Sequence, residues 1–162
     1  EPAEATTLPG AGVDLVTVAQ SAHWFDWPAF CAELRRVLKP GGLLAIWCYE
    51  LFTVDAAIER LVADLSRDVV GPYWPRERRH IEEHYRDLPL PFPAVETPGF
   101  VMQADWDLAT VMGYLGTWSA VRRCRERTGR DPLALVEHPL AAAWGQGSRA
   151  VRWPLVIHAA RA

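Results

Sequence analysis

Long apolar runs are missing. Nowhere in the 162 residues do apolar side chains continue for the roughly 18 positions that a membrane helix needs, and no charged-then-apolar leader resembles a secretion signal. Cysteine is scarce: Cys31, Cys48 and Cys124 are an odd number at wide spacing, which excludes a disulfide framework, a metal knuckle and a redox pair. A reducing cytoplasm is the simplest setting. Neither sign of charge dominates, since 17 basic residues against 20 acidic ones leave a net charge of −3. That balance supplies no overall attraction to nucleic acid or to an anionic membrane. Also absent is a glycine-rich turn after a strand, because Gly10-Ala11-Gly12 precedes a strand instead. The chain does not open on methionine, and EPAEATTLPGAG reads as interior sequence.

What is present is a globular composition. Half of the residues are apolar and 23% are charged, enough for a sizeable core in a single domain. Eight tryptophans and thirteen prolines are the excesses.

VDLVTVA, residues 13 to 19, is a β-branched run of strand length, of the kind covered on both faces in a parallel sheet. Asp26 stands where a helix cap would, Pro28 fits the first turn, and Phe30, Leu34, Val37 and Leu38 follow at helical spacing. Lys39-Pro40-Gly41-Gly42 should stop this helix before a second apolar strand, LLAIWCY, at 43 to 49. Strand, helix and strand together predict a parallel βαβ unit with a right-handed crossover. A further amphipathic helix is predicted from Val54 to Val69. The proline-rich stretch at 72–99, with the mixed-charge run RERRHIEEHYRD, reads as a lid insertion, partly helical around 76 to 86. Phe100 to Trp106 suits a short strand, Asp107 a helix cap, and Asp131-Pro132 another helix start, with Pro139 as an interruption. Alternation from Ala150 to His158 marks a last strand, in which Pro154 demands an edge or a bulge.

Ligands of open α/β sheets sit at the carboxyl ends of parallel strands. Here those ends are Ala19 to Asp26 and Trp47 to Glu50, two polar and aromatic loops, with Tyr73 and Trp74 close enough in sequence to close over them. Trp106, Trp144 and Trp153 sit at periodic positions suited to a core, whereas Trp24, Trp27, Trp47, Trp74 and Trp118 are placed around this mouth. His80-Ile81-Glu82-Glu83-His84 fits a zinc-protease pattern, but its arginine-rich flanks favour a solvated helix with internal ion pairs, and no metal site is expected.

GVDLVTVAQSAHWFD followed by ELRRVLKPGGLLAIWCYE resembles the second half of a class I S-adenosylmethionine-dependent methyltransferase, and is most similar to the branch related to trans-aconitate methyltransferase. DLATVMGYLGTWSAV, TGRDPLALV and VRWPLVIHAAR extend the resemblance over nearly the whole chain. It implies an α/β fold: a partial Rossmann-like sheet of the last parallel strands plus an antiparallel final strand, with a helical lid at 72–99 inside residues 1–162. It implies S-adenosylmethionine as cofactor, bordered by Ala3, Glu4, Ala19, Gln20, His23 and Trp24. His23 is then the candidate base and Tyr49 a hydrogen-bonding positioner, while Trp47, Tyr73, Trp74 and Trp118 would face a small-molecule acceptor.

The family's glycine-rich turn and the acidic residue that holds the ribose are not among these residues. Cofactor binding and activity are therefore expected to be impaired in this chain alone. The rival reading is a non-catalytic remnant or assembly module that binds a partner chain. In either case the family sheet would leave strand 13–19 with an apolar edge, open to pairing with another copy.

Overall fold

The first β-branched run forms β1 (Val13–Ala19) in the computed structural model, which describes residues 1–162. Asp26 caps α1 (Trp27–Val37), accepting from the Ala29 amide at 3.2 Å, and Pro28 occupies the first turn, where its missing N–H leaves no helical bond unmade. Phe30, Cys31 and Leu34 from the buried stripe of α1 join Val18, Leu44, Ile46 and Cys48 in one apolar cluster.

The segment Lys39 to Gly42 departs from expectation. Helix α1 does stop at Val37, yet β2 (Leu38–Cys48) begins at the next residue, so these four residues are the irregular start of a strand and not a connecting loop. Gly41 adopts φ +79°, and a Cβ on Gly42 would lie 2.9 Å from the Lys39 carbonyl oxygen. The two glycines let the chain turn from helix into sheet without extra residues. The same region carries the register shift between Val13 and Leu15, after which Leu15 to Ala19 run parallel to Leu43 to Trp47.

The chain divides into two compact units, Glu1–Glu50 with Glu77–Phe100 and Pro154–Ala162, and Leu51–Arg76 with Val101–Trp153. In the second, Asp55 caps α2 (Ala56–Asp64) through the amides of Ala57 and Ile58. The helix predicted to reach Val69 changes at Leu65 into a π turn, closed by a bond from the Val70 amide to the Leu65 carbonyl. Periodicity alone does not separate that wider turn from an α turn.

Residues 72–99 are only partly helical, as expected around 76 to 86. Short 3-10 turns lead to the single turn of α3 (Arg79–Glu82), and Ala94–Val95 form β3. After β4 (Phe100–Trp106), Asp107 caps α4 (Leu108–Thr117) through the Thr110 amide and hydroxyl. Trp118 separates α4 from α5 (Ser119–Thr128). Pro139 does not interrupt a helix: α6 (Glu137–Trp144) starts just before it, so the proline falls in the first turn. Phe52, Trp106 and Tyr114 surround Trp153 with ring centroids 4.9 to 6.0 Å away, the aromatic core of this unit.

The last strand, β5 (Arg149–Arg161), is antiparallel to β2, with Val156 opposite Cys48 and Arg161 opposite Leu43. Pro154 falls between that ladder and the bridge from Arg152 to Thr53, where a strand can lack a donor. The sheet order is β1-β2-β5-β3, with β4 also on β5. Strand β1 is thus an edge, not a strand covered on both faces: only Val18 is buried, and Leu15 is 51% exposed. An apolar run reports composition, whereas cover depends on neighbours that the run cannot specify. No helix is long and apolar enough to cross a membrane.

Candidate functional site

The carboxyl ends of β1 and β2 lie side by side, with Ala19 opposite Trp47. Beyond them Gln20 takes φ +52° and closes a clamp: its Nε2 donates to the Tyr49 carbonyl at 2.8 Å, and the Tyr49 amide donates to its Oε1 at 3.1 Å. A residue in this left-handed conformation redirects the chain, and after Ser21 the three positions Ala22–Trp24 form one 3-10 turn. His23 is buried there, while Trp24 is 56% exposed with its ring centroid 4.6 Å from that of His23. Ala19, Gln20, His23, Trp24, Trp47 and Tyr49 are therefore brought together at one end of the parallel pair.

The amino-terminal residues join them. Glu4 Oε1 accepts from the Asp26 amide at 3.0 Å. Ala3 lines a largely apolar cavity of about 180 Å³ with Ser21, Phe25 and Phe30. This segment is held by Glu33, whose Oε1 accepts from the Thr6 amide at 2.8 Å and the Thr6 hydroxyl at 2.6 Å. Arg36 braces the same carboxylate and also donates to the Leu8 and Thr6 carbonyls. The Arg36 and Thr6 hydrogen bonds hold the Glu33 carboxyl down at about 2.

Tyr85, which sequence reasoning did not single out, reaches His23 from the 77–100 segment. Its hydroxyl lies 2.9 Å from His23 Nδ1, and only 1% of the residue is exposed. Both His84 and Tyr85 adopt positive φ, at 54° and 57°. Two such residues in succession are unusual without glycine, and the turn they make is anchored on both sides. His84 pairs with Glu50 through its ring, and its carbonyl accepts from His158 Nε2 at 2.6 Å. Burial, then His80 and Arg78, push the His23 pKa down against a smaller opposing effect of Glu77. Burial and the neighbouring Cys48 push Tyr85 up, and burial with Glu50 raises the Cys48 thiol to about 11. The two histidines of the zinc-like pattern hold separate acidic partners, His80 with Asp87 and His84 with Glu50.

Trp27 belongs to the core and not to the mouth: it is buried beside Phe30, and its Nε1 donates to the Pro89 carbonyl. Tyr73, Trp74 and Trp118 lie in the second unit, where the rings of Trp74 and Trp118 are 5.5 Å apart and Trp74 Nε1 donates to the Ser66 carbonyl. Trp144 and Trp153 are buried as expected, and Trp106 is half-buried.

A parallel β1-α1-β2 unit continued by an antiparallel strand, with clustered side chains at its carboxyl end, is the α/β architecture of a methyltransferase domain. The family model described as "Methyltransferase domain" matches residues 1–46. A solved structure from Anaeromyxobacter dehalogenans, provisionally named a type II methyltransferase, superposes with a TM-score of 0.92 and 46% identity over 99% of this chain and 69% of its own. A Dictyostelium discoideum protein, provisionally named a methyltransferase, is 30% identical over 145 residues, which are 88% of this chain and 55% of that relative. The chain belongs to the methyltransferase family. It spans only a little over half the length of the Dictyostelium relative.

Proposed function

We propose that the chain forms part of an S-adenosylmethionine-dependent methyltransferase acting on a small-molecule acceptor, within the trans-aconitate-like branch that its motifs resemble. The observation that carries this reading is the clamp between Gln20 and Tyr49, which fixes the ends of two parallel strands beside His23 and an exposed Trp24. The residues present fit one side of such a cofactor. Ala3 and Glu4 stand next to the loop after β1, the Ala19 and Gln20 backbone ends the strand, and an exposed indole can face a sulfonium by cation–π attraction. The cofactor supplies the electrophilic methyl group; the chain's share is to align the acceptor and exclude water. Trp47 and Tyr49 are assigned to the acceptor side. Buried free thiols at all three cysteines suit a reducing cytoplasm.

Affinity and turnover of this chain alone are proposed to be impaired, since the family's glycine-rich turn and ribose-binding acid are not among its residues. Calorimetry with S-adenosylmethionine tests both points: weak or no binding by the 162 residues, with binding restored in a version extended upstream, is the expected outcome. No binding by either version would overturn the reading. The exposed edge of β1 favours one alternative, a non-catalytic module that pairs this edge with a partner chain or another copy. Concentration-dependent dimerisation without cofactor binding would support that alternative.

A further inference from the structure

We propose that Tyr85 is a positioning residue: its hydroxyl donates to His23 Nδ1 and holds His23 as the neutral Nε2–H tautomer, so that His23 offers the site a hydrogen-bond donor and not a base. The role in methyl transfer rests on the function proposed above, but the tautomer itself does not.

The argument is a count of protons. A neutral imidazole has one donor nitrogen and one acceptor nitrogen, and a phenol has one proton to give. The 2.9 Å contact between Tyr85 Oη and His23 Nδ1 can therefore run in either direction. The surroundings of the phenol oxygen decide it. The phenol makes no other hydrogen bond, and the residue that carries it is 1% exposed. Were Nδ1 protonated, the phenol proton would have no acceptor. A buried donor left unmade is the costlier arrangement. With the phenol donating to Nδ1, the hydroxyl and Nδ1 are both satisfied, and the imidazole proton resides on Nε2.

The groups facing His23 keep this arrangement from being displaced by a second proton. Burial disfavours the imidazolium, and Arg78 and His80 add like charge from the same segment that delivers Tyr85, whereas Glu77 opposes them weakly. Cys48, on β2, stays a neutral thiol beside the phenol. Neutral His23 has a single lone pair, and Tyr85 already occupies it. No hydrogen bond from the protein engages Nε2. What remains for a ligand is the Nε2–H, which suits an oxygen or other lone-pair atom and cannot remove a proton. The consecutive left-handed residues His84 and Tyr85, tied to Glu50 and His158, are the local device that turns this phenol inward.

The test is a long-range nitrogen–proton correlation spectrum of the nitrogen-15-labelled chain, with the His23 signals assigned by their loss in His23→Gln. The expected pattern at neutral pH is that of the Nε2–H tautomer. In Tyr85→Phe, His23 should shift towards a mixture of tautomers, and its titration midpoint should rise, because the bond that stabilised the neutral ring is gone. An Nδ1–H pattern in the wild-type chain overturns the proposal even if Tyr85→Phe does not fold. So does a Tyr85→Phe chain that folds with tautomer and midpoint unchanged. Neither reading depends on cofactor: failure to bind S-adenosylmethionine would count against the proposed function and leave the tautomer assignment standing.

Discussion

Gln20 and Tyr49 join the ends of two parallel strands by a closed pair of hydrogen bonds, side chain to backbone in both directions, at 2.8 and 3.1 Å. The primary amide matches a peptide group's donor and acceptor, so it extends the β1–β2 ladder by one step where the backbone itself has turned away at φ +52°. Gln20→Ala removes both bonds while keeping the strained conformation. A loss of about 1–2 kcal/mol in urea denaturation is expected from two partly buried hydrogen bonds. Gln20→Glu, which retains only the acceptor, should fall between. A loss in Gln20→Ala indistinguishable from zero would show that the clamp does not hold the strand ends.

Glu33 tethers the amino-terminal segment to α1, and its carboxyl is held at about 2 by Arg36 and Thr6, against a usual value of 4.5. A carboxylate with a depressed folded pKa contributes stability above its unfolded pKa and loses it as pH falls through the folded value. The gap in melting temperature between the wild-type chain and Glu33→Gln should therefore be complete above pH 4.5 and close as pH falls towards about 2. Thermal melts at a series of pH values measure it. A gap that is constant across this range would mean that the tether does not depend on the charge.

Much of the scaffold was legible in the sequence because its signals are local. Asp26 and Asp107 each cap a helix within three residues of themselves, and the run from Val13 to Ala19 is a strand by its own β-branched content. The candidate cluster at the ends of β1 and β2 follows from one rule about parallel strands. What was missed depends on contacts far apart in the chain. Tyr85 meets His23 across 62 positions, and neither the proline-rich composition around it nor the charge of its neighbours marks it as inward-facing. The cover of the faces of β1 is likewise set by elements remote in sequence, whereas its open edge was expected. The entry into β2 at Leu38 was hidden by Pro40 and two glycines, which signal a stop equally well for a loop and for an irregular strand start.

Phe52 is the test of the second unit's core. It is 1% exposed and packs edge-on against Trp153 and Tyr114, with ring centroids 6.0 Å away in both cases. Phe52→Ala leaves a cavity among rigid rings that cannot collapse around it, and the expected loss is about 3–5 kcal/mol. Phe52→Leu, which restores most of the volume without the ring, should cost roughly a third as much. Tryptophan fluorescence during denaturation reports the transition directly, because Trp153 and Trp106 are neighbours in the same cluster. A Phe52→Ala variant as stable as the wild-type chain would contradict this packing.

Trp24 separates a binding role from a structural one. Over half of its surface is exposed, although it stands beside buried His23, so its removal should change folding stability by no more than ~0.5 kcal/mol. An indole facing a sulfonium contributes about 0.5–2 kcal/mol, which corresponds to roughly a 2- to 30-fold change in affinity. Trp24→Ala should therefore weaken S-adenosylmethionine binding by that factor in whichever version of the chain binds, while its urea midpoint stays with that of the wild type. Trp24→Phe, with a weaker quadrupole on a smaller ring, should recover part of the affinity. Unchanged affinity in Trp24→Ala would remove the indole from the cofactor wall, and a large fall in stability would return it to the core.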